Sequence, residues 1–124
     1  MNNQFNWELE KIKRFDFWFG NSFCGIKKLT IFFDDELKVL SNGNINKNVK
    51  PYKEEIIKEL STFNFNSWEK KYNNNNNPKL ENSWTIRLIF ENEILEYTGL
   101  DDYPNTWDHV ECFVNKYSKF YLHE

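Results

Sequence analysis

The strongest constraint on the fold is the spacing of the apolar residues in SWTIRLIF, residues 83 to 90, which alternate with polar residues as far as Leu88. Apolar side chains recur at every second position, at Trp84, Ile86, Leu88 and Phe90. Because successive side chains of a β-strand point to opposite faces, this pattern predicts a strand with one buried face. The acidic turn ENE (91 to 93) and an apolar segment from 94 to 98 predict the returning strand of a hairpin.

An earlier segment of the chain has the same pattern. FFDDELKVLSNG (32 to 43) and IFENEILEYTG (89 to 99) share two apolar residues, an acidic turn, an apolar return, a Ser or Thr and then a glycine. Each is followed by a loop, a proline and a segment with helical periodicity. We interpret them as two ββα units; chance similarity of short hairpins is the alternative.

An amphipathic helix is predicted after each hairpin. Ile56, Leu60 and Phe63 fall on one face of the first helix, which Pro51 is suited to begin. Asn105 is placed to cap the second helix, in which apolar residues recur at spacings of three and four: Trp107, Val110, Val114, Tyr117 and Tyr121. Polar loops are predicted at 41 to 50 and around the five asparagines at 73 to 77.

The predicted fold is α+β. Alternating apolar residues from 5 to 19 add an N-terminal strand pair, or one long strand, to the two ββα units. Since neither unit alone can cover both its sheet face and its helix, we expect one antiparallel sheet with two helices on one face. A chain of 124 residues is expected to form a single domain, 1–124.

Composition narrows the class of protein. With 16 basic and 19 acidic residues the net charge is −3, which indicates neither a basic nucleic-acid-binding protein nor a mimic of DNA. The sequence has no signal-peptide core and no run of 18 apolar residues, so we expect a cytoplasmic protein without a membrane segment. Abundant lysine and asparagine, which have AT-rich codons, suggest a low-GC bacterium or a mobile element.

The segment YTGLDDYPNTWDH (97 to 109) contains several residues of the types that bind metals or transfer protons. Asp101, Asp102, Asp108 and His109 could suggest a metal or acid/base site. Adjacent side chains diverge, however, so they do not converge on one point, and we predict no metal. We expect a strand-to-helix connector in which Gly99 ends the strand with a positive φ and the first two aspartates bind turn amides.

Enzyme chemistry is not predicted. Cys112 follows His109 by three residues on the predicted last helix, but no third group to orient such a pair is evident. Cys24 and Cys112 match no metal-binding spacing and are expected to be two separate thiols, each buried or half-buried. The four scattered glycines form no phosphate-binding loop, so no cofactor is expected.

Part of the chain resembles a group of small, uncharacterised proteins of low-GC bacteria. The shared elements are WEKKY (68 to 72), a loop, SWTIRLIF and TGLDDYPNTWDH before a terminal helix, which together cover less than half of the sequence. The resemblance implies kinship but no activity and no catalytic residue. Where that group commonly has Asn-Ala before Tyr-Pro, this chain has Asp101 and Asp102.

These observations favour a protein-binding role. A small chain rich in Trp and Tyr has the residue types that anchor interfaces, although core packing is the alternative for each of them. The candidate contact residues are Asp101, Asp102, Tyr103, Trp68, Tyr72, Asp34, Asp35 and Glu36.

The concrete hypothesis is a non-enzymatic inhibitor or immunity-type protein, for example a phage-encoded, anti-CRISPR-like antagonist of a host defence nuclease. A basic groove on that partner would suit the acidic clusters. Pairing through a sheet edge would give a homodimer. The alternatives are an uncharacterised housekeeping domain, or a weak nucleic-acid-binding protein that uses the lysines and aromatics of residues 47–79.

Overall fold

The computed structural model describes residues 9–21, 25–34, 36–73 and 82–120. They form a mostly antiparallel seven-stranded sheet and two α-helices, which confirms the predicted α+β class. The strands are β1 (Arg14–Asn21), β2 (Gly25–Phe32), β3 (Lys38–Ser41), β4 (Asn44–Ile45), β5 (Lys71–Asn73), β6 (Asn82–Ile89) and β7 (Ile94–Leu100). The helices are α1 (Lys53–Ser61) and α2 (Trp107–Tyr117), with a 3₁₀ turn at Phe65–Ser67.

Strand β1 lies at the centre of the sheet and joins the two predicted hairpins. The strand order is β4-β3-β2-β1-β6-β7-β5, and β1 pairs antiparallel with both β2 and β6. The hairpin of β2 and β3 precedes α1, and the hairpin of β6 and β7 precedes α2, as the ββα interpretation predicts. Of the predicted N-terminal strand pair, residues 5 to 8 lie outside the described residues. Leu9 is helical and not extended, so the predicted strand is wrong at this residue, and its carbonyl accepts a hydrogen bond from the Ile12 amide at 3.1 Å.

Two strands were not predicted. Asn42 and Gly43 have positive φ angles of 52° and 87°, the conformation of a two-residue hairpin turn, so the expected polar loop contains β4. Strand β5 pairs parallel to β7, which makes the sheet mixed at that edge. The rest of the asparagine run, residues 74 to 77, lies outside the described residues.

Both helices pack against one face of the sheet, as predicted. On this face β1 contributes Phe15 and Phe17, and the Phe15 and Phe113 rings meet edge to face at 5.4 Å. Phe113 also meets Phe63, just beyond α1, at 5.5 Å. The helices lie side by side, because Lys116 of α2 forms an ion pair with Glu55 of α1 at 2.9 Å. The opposite face of the sheet carries no described helix.

Both helices begin later than predicted. Tyr52, not Pro51, is the N-cap residue of α1. Thr106, not Asn105, is the N-cap residue of α2. Its hydroxyl donates to the Phe63 carbonyl at 2.6 Å, so it ties the start of α2 to the end of α1 instead of capping the helix. Neither described helix is long and apolar enough to span a membrane.

Candidate functional site

Both aspartates of the connector, residues 101 to 106, bind backbone amides. Asp102 binds an amide within the turn, as predicted, whereas the amide bound by Asp101 belongs to Asn82 at the start of β6. The Asp101 carboxylate accepts a hydrogen bond from the Asn82 amide at 3.1 Å. The Asp102 carboxylate accepts one from the Tyr103 amide at 3.0 Å. The chain reverses at Asp101, which has a φ of 50°. Each carboxylate therefore has a structural role in addition to any contact with a partner.

Gly99 does not have the role that we predicted. It lies inside β7, opposite Trp84, and the positive φ falls two residues later, at Asp101. A Cβ atom on Gly99 would overlap the indole of Trp84 and come within 2.6 Å of the Asp102 carbonyl oxygen. That carbonyl accepts a hydrogen bond from Trp84 Nε1 at 2.9 Å. Gly99 is thus required because the Trp84 indole packs directly against its backbone, and not because it has an unusual backbone angle.

The predicted aromatic anchors have different surroundings. Trp68 is only 8% exposed, and its Nε1 donates to the Phe63 carbonyl and to the Thr106 hydroxyl, both at 2.9 Å. These contacts match the core-packing alternative, so we leave Trp68 out of the surface considered below. Tyr72 is half-buried, and its hydroxyl accepts a hydrogen bond from the Glu69 amide at 2.9 Å. Tyr103 is half-buried against Trp107, with ring centroids 4.8 Å apart, and burial raises the pKa of its hydroxyl.

The predicted acidic residues lie at opposite ends of the sheet. Asp34 and Glu36 follow β2 beside the start of β1, whereas Asp101 follows β7 beside the end of β1. Asp35 lies outside the described residues. Since β1 has eight residues, the two ends are about 23 Å apart. A partner that contacts both acidic groups must lie along most of the sheet.

The end of the sheet near Asp34 has a groove of about 550 Å³ between the two hairpin turns. Glu10, Asp34, Glu91 and Glu93 line it, but so do Lys11, Lys13 and Lys53. Lys13 Nζ lies 3.7 Å from an Asp34 carboxylate oxygen. The charges in this groove are mixed and partly paired, so it is not a uniformly acidic site.

Cys112 was expected to be buried or half-buried, but it is exposed, because the buried side of α2 is that of Val110, Phe113 and Val114. With His109 it lines a smaller groove of about 200 Å³ between the helices. Glu59 lines the same groove, but its carboxylate already accepts hydrogen bonds from Tyr117 and Lys116. Bonding to Glu55 and Glu59 raises the pKa of Lys116, and burial raises the pKa of Tyr117. Within the described residues, no group of three or more His, Cys, Asp or Glu side chains is arranged to hold a metal ion.

Residues 47–79 are the basis of the nucleic-acid alternative, and the part of them that the structure describes does not form an aromatic platform. Phe65 and Trp68 are buried, so their rings are not free to stack on bases. Tyr52 is exposed, and Lys70 lies over the ring of Tyr97, with 4.8 Å between Nζ and the centroid. Lys79 lies outside the described residues.

A surface that we did not predict covers the other side of the sheet. We call the side opposite the helices the open face. The strand register places these residues of the four central strands on it: Arg14, Asp16, Trp18, Gly20, Ile26, Lys28, Thr30, Phe32, Ser83, Thr85, Arg87, Ile89, Ile94, Glu96, Thr98 and Leu100. Of the five large apolar side chains found exposed in the described part, all except Tyr52 lie on this face: Ile26, Ile45, Ile94 and Leu100.

Both arginines of the chain lie on the open face, each stacked on an aromatic ring. The Arg87 guanidinium is 4.7 Å from the centroid of Trp18, and the Arg14 guanidinium is 5.1 Å from that of Phe32. Arg87 also pairs with Glu96, and Arg14 with the carboxylate of Asp16, which is only 3% exposed. These contacts hold the arginines and aromatic rings in fixed positions above the sheet.

One signal in the sequence could have revealed the open face. Trp18, Ile26, Phe32 and Ile94 are apolar residues on the polar side of predicted strands. When one side of a strand is already apolar and buried, a tryptophan on its other side indicates a second apolar surface that is available for binding. The strands of the first half were interpreted only by their inward residues, so this signal was missed.

No protein-family model matches this chain, and comparison with curated proteins gave no match. The kinship inferred from the Trp and Tyr-Pro motifs therefore remains a prediction.

Proposed function

We propose that this protein is a non-enzymatic protein-binding domain whose partner docks on the open face. The observation that carries the proposal is the arrangement of Trp18 and Arg87 there, stacked at 4.7 Å and bordered by exposed Ile26 and Leu100. Tryptophan and arginine are the residue types that most often dominate binding energy at interfaces. Their mutual packing lowers the side-chain entropy that binding would otherwise cost.

A protein partner fits this surface better than a nucleic acid does. Arg14 and Arg87 are already engaged by carboxylates, and each covers one face of the ring on which a base would stack. Nucleic-acid platforms need free aromatic faces and unpaired cations. Exposed isoleucines on both sides of the face contribute nothing to binding phosphates but contribute to an apolar contact.

The finer proposal is an inhibitor or immunity-type protein acting in a bacterial cytoplasm, with an anti-CRISPR-like antagonist of a defence nuclease as its specific form. Small size and the composition of a low-GC mobile element support this form, as does a binding surface that needs no catalytic group. Kinship with the small uncharacterised proteins of low-GC bacteria belongs to the same proposal. Asp101 and Asp102 adjoin Leu100 at one end of the open face, where they would lie at the margin of the interface.

The test is affinity capture from the lysate of a low-GC bacterium that carries nuclease-based defence systems, followed by mass spectrometry. The proposal predicts one stoichiometric protein partner for the wild-type chain, and loss of that partner with Trp18→Ala and with Arg87→Ala. The captured partner's own activity, assayed with and without the chain, then tests inhibition. Capture unchanged by both variants would contradict docking on the open face.

A matched variant tests the connector separately. Asp101→Asn/Asp102→Asn removes two negative charges and keeps an oxygen that can accept the Asn82 and Tyr103 amide hydrogen bonds. Weaker capture of the partner by this variant would assign the connector to the interface. Unchanged capture limits the interface to the open face.

A further inference from the structure

Gly20 is the one glycine of the chain whose presence the fold does not explain. Gly25 and Gly43 have φ angles of 81° and 87°, and Gly99 makes room for an indole. Gly20 lies in β1 without a left-handed φ, and a Cβ there would meet the Ser83 hydroxyl oxygen at 3.1 Å, an Ile26 side-chain carbon at 3.9 Å and the Ser83 carbonyl oxygen at 4.0 Å. The Ser83 side chain is exposed and can rotate away. Since glycine weakens a strand interior, its use here indicates a need for open space.

That space is a depression of about 330 Å³ on the open face, which we call the Gly20 socket. It is lined by Trp18, Gly20, Ile26, Lys28, Ser83, Trp84 and Thr85. Gly20 and Trp18 lie on the central strand β1, between Ile26 of β2 on one side and the hydroxyl residues Ser83 and Thr85 of β6 on the other. A socket of this kind, built on rigid strands, accepts one projecting apolar side chain.

The charges around the socket indicate which kind of segment carries that side chain. Lys28 forms no ion pair with any described residue, although it lies in the socket wall. On the described strands of the open face, basic side chains outnumber acidic ones: Arg14, Lys28, Lys38, Lys71 and Arg87 against Asp16 and Glu96. The face is therefore positive in a chain whose net charge is −3. Charge complementarity favours an acidic occupant.

We infer that the Gly20 socket receives an aliphatic or aromatic side chain from an acidic segment of the partner protein. This inference rests on the proposed function and specifies the partner. From the sequence we expected a basic groove on the partner; at this surface we infer instead an acidic segment that carries an apolar side chain. Lys28 binds a carboxylate beside the inserted side chain, and Trp18 packs against the side chain itself.

The test uses a phage-displayed library of random linear peptides, selected on the immobilised full chain. We expect the selected peptides to share an apolar residue next to Asp or Glu. Their affinity should fall about tenfold or more with Gly20→Val, which fills the socket with a residue that strands favour. Binding should also shift the Trp18 indole N–H resonance in nuclear magnetic resonance spectra.

Two surface variants keep the test decisive if Gly20→Val folds poorly. Lys28→Glu should weaken the peptides by about tenfold through charge reversal, and Ile26→Glu should do so by placing a carboxylate in the apolar wall. Selection of no peptide, peptides without acidic residues, or peptides that bind all three variants as well as the wild type would overturn the inference. Tighter binding of an oligothymidylate than of any peptide would overturn it in favour of nucleic acid.

Failure of the inference is distinguishable from failure of the proposed function. If Trp18→Ala abolishes capture of the cellular partner and Gly20→Val does not, the open face is the docking surface and the socket is not used. If neither variant changes capture, the proposed function falls as well.

Discussion

The indole of Trp84 occupies the space that any side chain on Gly99 would need. The two residues are cross-strand partners on β6 and β7. The indole N–H of Trp84 extends beyond Gly99 and donates a hydrogen bond to the Asp102 carbonyl at 2.9 Å. Trp84 also packs on Trp107 at 4.9 Å and on Trp68 at 5.9 Å between ring centroids. The close approach at Gly99 therefore fixes the connector and the start of α2 together.

Gly99→Ala should consequently destabilise the fold, whereas Gly20→Ala should not. Overpacking a rigid core contact costs about 1–3 kcal/mol, and here it also breaks the Trp84 hydrogen bond. At Gly20 the same substitution should be neutral or stabilise by up to about 1 kcal/mol, since it removes a flexible residue from a strand. Urea unfolding of the two variants is the measurement, and equal losses of stability in both would contradict this account of the glycines.

Trp18 and Trp84 should likewise differ in their contribution to stability, because only Trp84 is fully buried in the core. Trp84→Ala removes a side chain that is 1% exposed and should lower the free energy of unfolding by about 3–5 kcal/mol. Trp18 is half-buried on the open face, so Trp18→Ala should cost about 1–2 kcal/mol through lost partial burial and stacking with Arg87. Thermal unfolding followed by circular dichroism measures the stability of both variants. If Trp18→Ala is unfolded, it cannot serve as a test of binding.

Much of the fold was predictable because the strands and helices have regular patterns. Alternation at Trp84, Ile86 and Leu88 requires a strand, and the acidic turn after it requires a hairpin. The order of the strands was not predictable, because pairing between β1 and β6 depends on contacts distant in sequence. Of the candidate site, the local hydrogen bond of Asp102 followed from residue type. The bond between Asp101 and the Asn82 amide and the grouping of Trp18 with Arg87 depended on the strand register, which was not predictable.

Stability should fall at alkaline pH because of buried tyrosine. Burial, with smaller contributions from Tyr72 and Glu93, raises the pKa of Tyr97 from 10.0 to about 12. Between those values the unfolded chain loses this proton while the folded chain keeps it, so the free energy of unfolding decreases as pH rises through that window. Tyr97→Phe should flatten the decrease by about 1–2 kcal/mol in unfolding measured from pH 9 to 12.

The remaining slope in that variant has an expected source. The pKa values of Tyr103 and Tyr117 are also raised by burial, so both contribute in the same direction. An identical pH dependence in wild type and Tyr97→Phe would show that the Tyr97 hydroxyl is solvated in the folded protein.

Asn46 should matter for the end of α2 although it lies outside both helices. It is 4% exposed, and its Nδ2 donates to the Tyr117 carbonyl at 2.8 Å, one of the last carbonyls of α2, which lack partners within the helix. Asn46→Ala leaves that buried carbonyl unpaired and should cost about 1–3 kcal/mol. Faster amide hydrogen exchange at the end of α2 should accompany the loss, and exchange unchanged there would contradict the role of Asn46.

The most direct test of the central claim, docking on the open face, is site-specific photocross-linking in the bacterial lysate. A benzophenone amino acid at position 26 lies on the open face, and the same group at position 52 lies at the start of α1. Ile26 and Tyr52 are similarly exposed, at 67% and 63%, which makes the two positions a matched pair. The account predicts one discrete protein adduct at position 26 that Trp18→Ala abolishes, and no such adduct at position 52. An adduct confined to position 52, the same adducts at both positions, or none at position 26 would contradict it.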